Sequence, residues 1–264
     1  MKKLLSVNNK DVKEYYQLTI KSKARKKHNI FLIEGIREIN LAISNDYKVE
    51  TLLFCPQIVD ISILEKNIYN QIEKIEISLE VYRKLAYRNS TEGILGISKF
   101  KNHNLSGILL KSKNPLIVVL EAPEKPGNIG ALLRTADAAN VDAVIIANAK
   151  TDLYNPNIIR SSVGSLFTNS IYTETTTNII KFLKKNNILI LTSSLNATKI
   201  YSDQSYLKSC AIILGTEDNG LTNEWIDSSD SNIIIPMNGK IDSLNLSIAA
   251  AILIFEAKRQ RNLD

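Results

Sequence analysis

Short apolar runs alternate along this chain with stretches whose apolar residues recur every three or four positions. In the first hundred residues the helical spacing falls over 9–19, 35–44 and Leu79–Leu85. Ile30–Glu34, Val49–Phe54 and Ile94–Ile97 are apolar runs of strand length. Lys99–Asn114 is polar apart from Ile108–Leu110 and makes the best boundary. Beyond it, Leu116–Leu120, Ala143–Ala147, Ile188–Leu191, Ala211–Leu214 and Ile233–Pro236 read as strands, separated by helical or loop segments such as Asn128–Ala139. Continuous apolar strands alternating with helices predict an α/β domain, its mainly parallel sheet covered by helices on both faces. A ligand is then expected at the carboxyl ends of the strands. The division expected is a smaller N-terminal α/β domain over 1–108, a linker over 109–114 and a second domain over 115–264.

Composition narrows the class. At 264 residues and 44% hydrophobic, the chain can bury a sizeable core, which excludes a mainly disordered protein. The longest apolar run, Ile248–Phe255, is far short of the ~18 residues a membrane-crossing helix needs. The first nine residues lack the pattern of a secretory signal, so a cytoplasmic protein without a membrane partner is expected. Cys55 and Cys210 stand alone, and His28 and His103 lie far apart. Neither a disulfide framework nor a metal site is expected, and both histidines read as surface residues.

Charge adds an asymmetry. Residues 1–114 carry 20 Lys plus Arg against 12 Asp plus Glu, while the other 150 carry 13 against 15. The whole basic excess therefore lies in the first part, as in a polyanion-binding module joined to something with another task. A solvated lysine-rich surface is equally open on charge alone. The densest cluster is Lys21, Lys23, Arg25, Lys26 and Lys27, expected at the entrance to the Ile30 strand. Such residues contact phosphates, giving affinity without sequence choice. Trp225 and the scattered tyrosines read as packing residues, although Tyr15, Tyr16, Tyr82 or Tyr87 could stack unpaired bases.

Three later segments carry chemistry. After the Leu116–Leu120 strand the chain runs through Glu121 to Pro126-Gly-Asn-Ile-Gly-Ala-Leu-Leu-Arg-Thr-Ala136, a G-x-x-G rather than a dinucleotide or Walker loop. Ile129, Leu132, Leu133 and Ala136 form one apolar helical stripe, with Asn128 as a plausible N-cap. Arg134, one turn after Gly130, is placed to lean back over it and join the positive end of the helix dipole. The second segment, Leu214-Gly-Thr-Glu-Asp-Asn-Gly-Leu221, holds Glu217 at a strand end. The third, Ile235-Pro-Met-Asn-Gly-Lys-Ile-Asp-Ser-Leu-Asn-Leu-Ser247, leads through Ser243, a candidate cap, into an apolar helix from Leu244 to about Arg259. Each segment alone is also an ordinary surface arginine, strand turn or helix start.

In this order and spacing they resemble the three motifs of the SpoU family, within the SPOUT class of RNA ribose 2′-O-methyltransferases. The resemblance covers about residues 115–260: N-x-G-x-x-x-R-x-A at Asn128–Ala136, G-x-E-x-x-G-L at Gly215–Leu221 and I-P-M…S-L-N at Ile235–Asn245. Glu121 stands where the family often has Asp. The first part resembles, more loosely, the family's ribosomal-protein-like RNA-binding extension, through the basic run, Phe31–Gly35 and Gly93–Ile97.

The resemblance implies S-adenosylmethionine as cofactor and a C-terminal trefoil knot, which pattern alone does not predict. It places backbone groups around Leu214, Gly215, Ile235, Met237 and Leu244 on the cofactor, with Thr192 and Ser193 lining the adenine pocket. Arg134 is implied as the catalytic arginine, with Asn128 and Glu217 positioning it or the substrate and Ser243 and Asn245 orienting the ribose. A guanidinium stays charged at any working pH, so Arg134 is read as binding an RNA phosphate or the nascent alkoxide, not as a literal base. The expected activity is methyl transfer to a ribose 2′-hydroxyl of structured RNA, with 23S ribosomal RNA favoured by the size of the N-terminal extension, in a homodimer formed through the C-terminal domain. The alternatives are a tRNA 2′-O-methyltransferase or an inert RNA-binding or ribosome-assembly protein; the set Asn128, Arg134, Glu217 and Ser243 argues against the inert reading.

Overall fold

The computed structural model describes residues 2–87, 92–216 and 219–261. The chain divides into two compact units, Met1–Asn102 with Asp152–Thr168, and His103–Thr151 with Asn169–Asp264. The 109–114 stretch thus falls inside the second unit, and a piece of the expected second domain belongs to the first.

The first unit begins with β1 (Lys2–Leu4), α1 (Lys10–Ile20), α2 (Ser22–His28), β2 (Ile30–Glu34) and α3 (Ile36–Ser44). It continues through β3 (Val49–Phe54), β4 (Glu73–Ile77), α4 (Leu79–Leu85) and β5 (Ile94–Lys99). The strands form one mixed sheet in the order β1-β4-β3-β5-β2, in which β1 and β3 run parallel to β4 while β5 runs antiparallel to β3 and β2. Alternate residues Leu53, Ile75, Ile77, Leu95 and Ile97 meet Val12 of α1 and Val81 and Leu85 of α4 in a buried core. Tyr82 belongs to that core, with 1% of its surface exposed, and so cannot stack on a base.

The second unit holds β6 (Leu116–Glu121), α5 (Pro126–Ala138) and β7 (Ala143–Ala147). The chain then passes through α6 (Pro156–Ser162) and α7 (Ser165–Thr168), which belong to the first unit. It returns with β8 (Ile171–Glu174), α8 (Thr176–Lys185), β9 (Leu189–Ser193), β10 (Lys199–Ile200), β11 (Cys210–Leu214), α9 (Asn223–Asp227), β12 (Ser231–Ile234) and α10 (Leu246–Gln260). Seven strands pair entirely in parallel, in the order β10-β12-β9-β11-β6-β7-β8. One face packs on α8 and α9 through Ile117, Val119, Ile145, Ile213, Ile179 and Trp225. On α5 the buried residues are the expected stripe Ile129, Leu132, Leu133 and Ala136, and α10 packs on α5 and β11. A sheet buried on both faces explains why its strands read as unbroken apolar runs. Cys55 and Cys210 are free and buried, and burial pushes the Cys210 thiol up to about 11.

The basic run leads into β2 as expected and does so as a helix, α2, with Arg25, Lys26, Lys27 and His28 in its last turn, where cations meet the negative end of the helix dipole. Lys21, Lys23, Lys26 and Lys27 are exposed, but Arg25 is 2% exposed. Its Nε and Nη2 donate to the two carboxylate oxygens of Asp152 at 3.1 and 2.7 Å, and Nη1 donates to the Leu18 carbonyl at 2.7 Å. Arg25 is therefore a structural residue and is withdrawn from the expected RNA contacts, because a side chain with its donors spent inside the protein has none left for phosphate. The Asp152–Thr168 stretch is fastened further by Tyr154, whose ring stacks on Phe31 at 4.0 Å, and by Phe167 against Tyr47 at 5.1 Å.

Burial pushes the Asp152 carboxyl up, but the Arg25 hydrogen bonds and charge outweigh it and hold the carboxyl below the usual range. The stabilisation this pair contributes is present above about pH 4 and is lost as pH falls through the lowered folded value. Asp152→Asn leaves a buried guanidinium without its counter-charge and is expected to cost about 3–5 kcal/mol in chemical denaturation at pH 7. The loss should shrink as pH falls through that lowered value and the wild-type carboxylate is itself protonated.

Candidate active site

The carboxyl ends of β9, β11 and β12 open into one cavity of about 610 Å³, closed by the start of α10. Strand ends supply its floor because a parallel sheet points all its carboxyl-terminal loops to one edge. Of the expected cofactor residues, Ser193, Leu214, Gly215, Ile235, Met237 and Leu244 line it, and Ser243 joins them. These positions come from three separate stretches of the chain.

Thr192 does not line the cavity. Its side chain is fully buried, and its hydroxyl bonds to Ser229 Oγ at 2.9 Å and to Asn232, which does line the cavity. The alternation of β9 explains this: Thr192 and Ser193 point to opposite faces, so only one of two neighbours can reach the space. Thr192 is corrected from a lining residue to a support behind the wall.

Gly215 leaves β11 with no room for a side chain. A Cβ there would stand 2.3 Å from the Gly220 carbonyl carbon and 2.6 Å from the Leu221 nitrogen. The loop closes on itself because Thr216 N–H donates to the Gly220 carbonyl at 3.0 Å and Gly220 N–H to the Thr216 carbonyl at 3.1 Å. Glu217, expected in this turn, lies outside the described residues.

Two helix starts differ from expectation. Asn128 is not an N-cap: α5 begins at Pro126 after Lys125, which puts Asn128 inside the first turn. Its Oδ1 instead accepts from Asn245 Nδ2 at 3.1 Å. Ser243 is not a cap either; α10 is capped by Asn245, whose Oδ1 accepts from Ser247 N–H at 2.9 Å. Proline fixes the φ suited to a first helical position, which moves the start of α5 upstream of the asparagine. The two asparagines tie the entrance of α5 to that of α10, so the first and third segments meet through side chains 117 residues apart in sequence.

Arg134 sits on α5 about 9 Å of helix beyond Asn128. It is exposed, is not part of the cavity wall, and makes no hydrogen bond or ion pair among the described residues. Gly130, one turn earlier, is buried. The guanidinium is thus held near the site by a rigid helix yet remains uncommitted.

The cavity suits S-adenosylmethionine on its own features. Leu214, Ile234, Ile235, Met237 and Leu244 give apolar walls for a flat neutral base, with backbone polar groups at the strand ends. Pattern reasoning missed Asn196, Asn219, Asn223 and Asn232, four amide side chains that also line it. Their only signal was a polar amide in the segments that follow two predicted strands, or immediately before a third. Among the described residues no cluster of His, Cys, Asp and Glu could hold a metal ion.

A parallel α/β unit with a ligand cavity at its strand ends, joined to a mixed α/β unit with an exposed basic helix, defines the class. The chain belongs to the SpoU rRNA Methylase family, whose profile matches residues 115–255, and an MRM3-like substrate binding domain matches residues 9–96. It is 26% identical over 258 residues to a 23S rRNA (guanosine(2553)-2′-O)-methyltransferase of Bacillus subtilis, covering 98% of this chain and all of that one. The structure of the SpoU methyltransferase AviRb from Streptomyces viridochromogenes in complex with AdoMet superposes with a TM-score of 0.87 at 25% identity, over 97% of this chain and 100% of the other. An AdoMet-bound rRNA methyltransferase from Sinorhizobium meliloti gives 0.89 at 28% identity, over 98% and 97%.

Proposed function

We propose that this chain transfers a methyl group from S-adenosylmethionine to a ribose 2′-hydroxyl of ribosomal RNA, with 23S rRNA as the target. The observation that carries the reading is the convergence of Leu214–Gly215, Ile235–Met237 and Ser243–Leu244 on one cavity, beside the Asn128–Asn245 link that brings in the arginine-bearing helix. The bound cofactor supplies an electrophilic methyl carbon on a sulfonium. The residues of the chain do the rest. Backbone groups at Leu214, Gly215, Ile235, Met237 and Leu244 hold and orient the cofactor, with Ser193 beside its base and Thr192 supporting that wall, so alignment supplies much of the rate. Arg134 binds an RNA phosphate or the charge growing on the 2′-oxygen, while Ser243 and Asn245 orient the ribose and Asn128 and Glu217 position the arginine or the RNA. The proton leaves through phosphate or water.

The exposed lysines Lys23, Lys26 and Lys27 of α2 and Lys21 just before it provide sequence-independent phosphate contacts. Replacing Lys23, Lys26 and Lys27 with Gln is expected to weaken RNA binding uniformly across sequences. The slope of log affinity against log salt should flatten by about one for each phosphate no longer neutralised, measured by filter binding. Unchanged slope would move the RNA surface elsewhere.

Two copies pair through α10, which leaves Ile248 and Phe255 exposed seven residues apart on one face. Light scattering should give twice the chain mass. The tail closes into a trefoil knot, and the enzyme works in the cytoplasm; among the described residues no helix is long and apolar enough to cross a membrane. The deciding experiment is transfer of labelled methyl to purified RNA fractions. Label in 23S rRNA supports the assignment, label confined to tRNA reassigns the substrate, and cofactor binding without transfer to any RNA makes the chain a scaffold.

A further inference from the structure

Glu121 closes β6 with only 4% of its surface exposed. Its Oε2 accepts from Trp225 Nε1 and from Thr176 Oγ1, both at 2.6 Å, and its Oε1 accepts from Asn148 Nδ2 at 3.0 Å. Asn148 also donates to Thr176 Oγ1 at 2.9 Å. The carboxylate thus joins the end of β7, the first residue of α8 and the middle of α9. No cation is among these partners; neutral donors and the positive end of α8 hold it. Burying a carboxylate is costly unless its donors stay in place, so the arrangement fixes all three elements together.

α9 has five residues, too few to hold a position by its own hydrogen bonds. What places it is Trp225, fully buried in the core under the sheet, with its N–H directed at Glu121. On either side of that tryptophan, Asn223 and Ile226 line the cavity, as does Leu221 just before them. We infer that Glu121 is a positioning residue for the cofactor cavity: through Trp225 it sets the Leu221–Ile226 wall against which the ligand packs. This rests on the cofactor reading above and assigns Glu121 no contact with the reacting atoms.

Trp225 is the single tryptophan of the chain, so its emission reports on this wall directly. Three single variants and the Glu121→Leu/Trp225→Phe double variant test the inference, with S-adenosylhomocysteine as the calorimetric probe and thermal melts as a control. Glu121→Leu removes the acceptor, and Trp225→Phe removes the donor while keeping most of the ring. Glu121→Gln keeps one oxygen for Trp225 and Thr176; Asn148 can turn its own oxygen toward the new amide, which gives up its bond to Thr176 but leaves the acceptor for Trp225 in place. Glu121→Leu is expected to weaken probe binding about tenfold and raise the cofactor KM equally. The kcat at saturation should fall less than twofold, the RNA KM should hold, and the Trp225 emission should shift. Trp225→Phe should weaken binding in the same direction, the double variant no further, and Glu121→Gln should stay within about twofold of wild type.

Unchanged probe affinity in folded Glu121→Leu overturns the inference, as does a loss of kcat and RNA KM in step with a lowered Tm. Should Glu121→Leu fail to fold, Trp225→Phe decides the matter by the same criteria. Wild-type protein that does not bind the probe at all overturns the cofactor reading itself, which separates that failure from failure of the positioning role.

Discussion

Arg134→Lys is expected to slow single-turnover methyl transfer by about 100-fold or more while RNA affinity stays within about threefold. Both side chains carry one positive charge, so the long-range attraction for phosphate survives the exchange. The planar fork of donors does not. A guanidinium on α5 can hold a phosphate oxygen and a developing alkoxide at fixed positions, whereas an ammonium offers a point charge with a different reach. Losing one oriented donor at a developing oxyanion typically costs two to three powers of ten in rate, roughly 3–4 kcal/mol. Because Arg134 makes no hydrogen bond or ion pair among the described residues, the exchange breaks nothing that stabilises the fold and Tm should not move. Rapid-quench measurement with saturating enzyme isolates the step. A near-normal rate in the variant would remove Arg134 from the reaction.

Gly215→Ala is expected to abolish cofactor binding while leaving the sheet folded. The added Cβ would lie 2.3 Å from the Gly220 carbonyl carbon, 2.5 Å from its oxygen and 2.6 Å from the Leu221 nitrogen. These are backbone atoms held by the paired hydrogen bonds between Thr216 and Gly220, so no side chain can swing aside. The loop must open, and with it the part of the wall formed by Gly220 and Leu221. Calorimetry with S-adenosylhomocysteine should show affinity lowered by about 100-fold or beyond detection. The cost in stability should be about 1–3 kcal/mol, the range for overfilling a tight site. Wild-type affinity in this variant would show that the closed loop is not what the ligand recognises.

These two positions illustrate unequal legibility. Gly215 was readable as a turn glycine after a buried strand; Leu214, Ile235, Met237 and Leu244, singled out only by the family resemblance, line the cavity with it, since strand ends in a parallel sheet share one edge. Asn128 and Ser243 were readable as polar residues at helix starts, but their tasks were not. A cap is decided by which residue the chain turns on, and proline at the start of α5 and Asn245 before α10 took those turns. Arg25 was legible only as charge. Nothing in a run of five basic residues tells which one folds inward, since that depends on Asp152, 127 residues away. Glu121 was noted as a carboxylate at a family position, while its three donors come from elements without sequence proximity.

The alternation of apolar runs and helical spacing determined by itself that this chain builds an α/β protein with a parallel sheet. It also set the limits of β2, β3, α4 and β7 to the residue. Those features follow from periods of two and 3.6 along a local stretch, and burial on both sides of a sheet imprints them on every strand. Tertiary structure decided which charged residues serve the fold and which face solvent. It sent Asp152–Thr168 to the first unit, turned Arg25 inward and put Glu121 beneath Trp225. The physical reason is that a buried charge is tolerable only where its partners arrive from other parts of the chain, and their arrival is a property of packing in three dimensions.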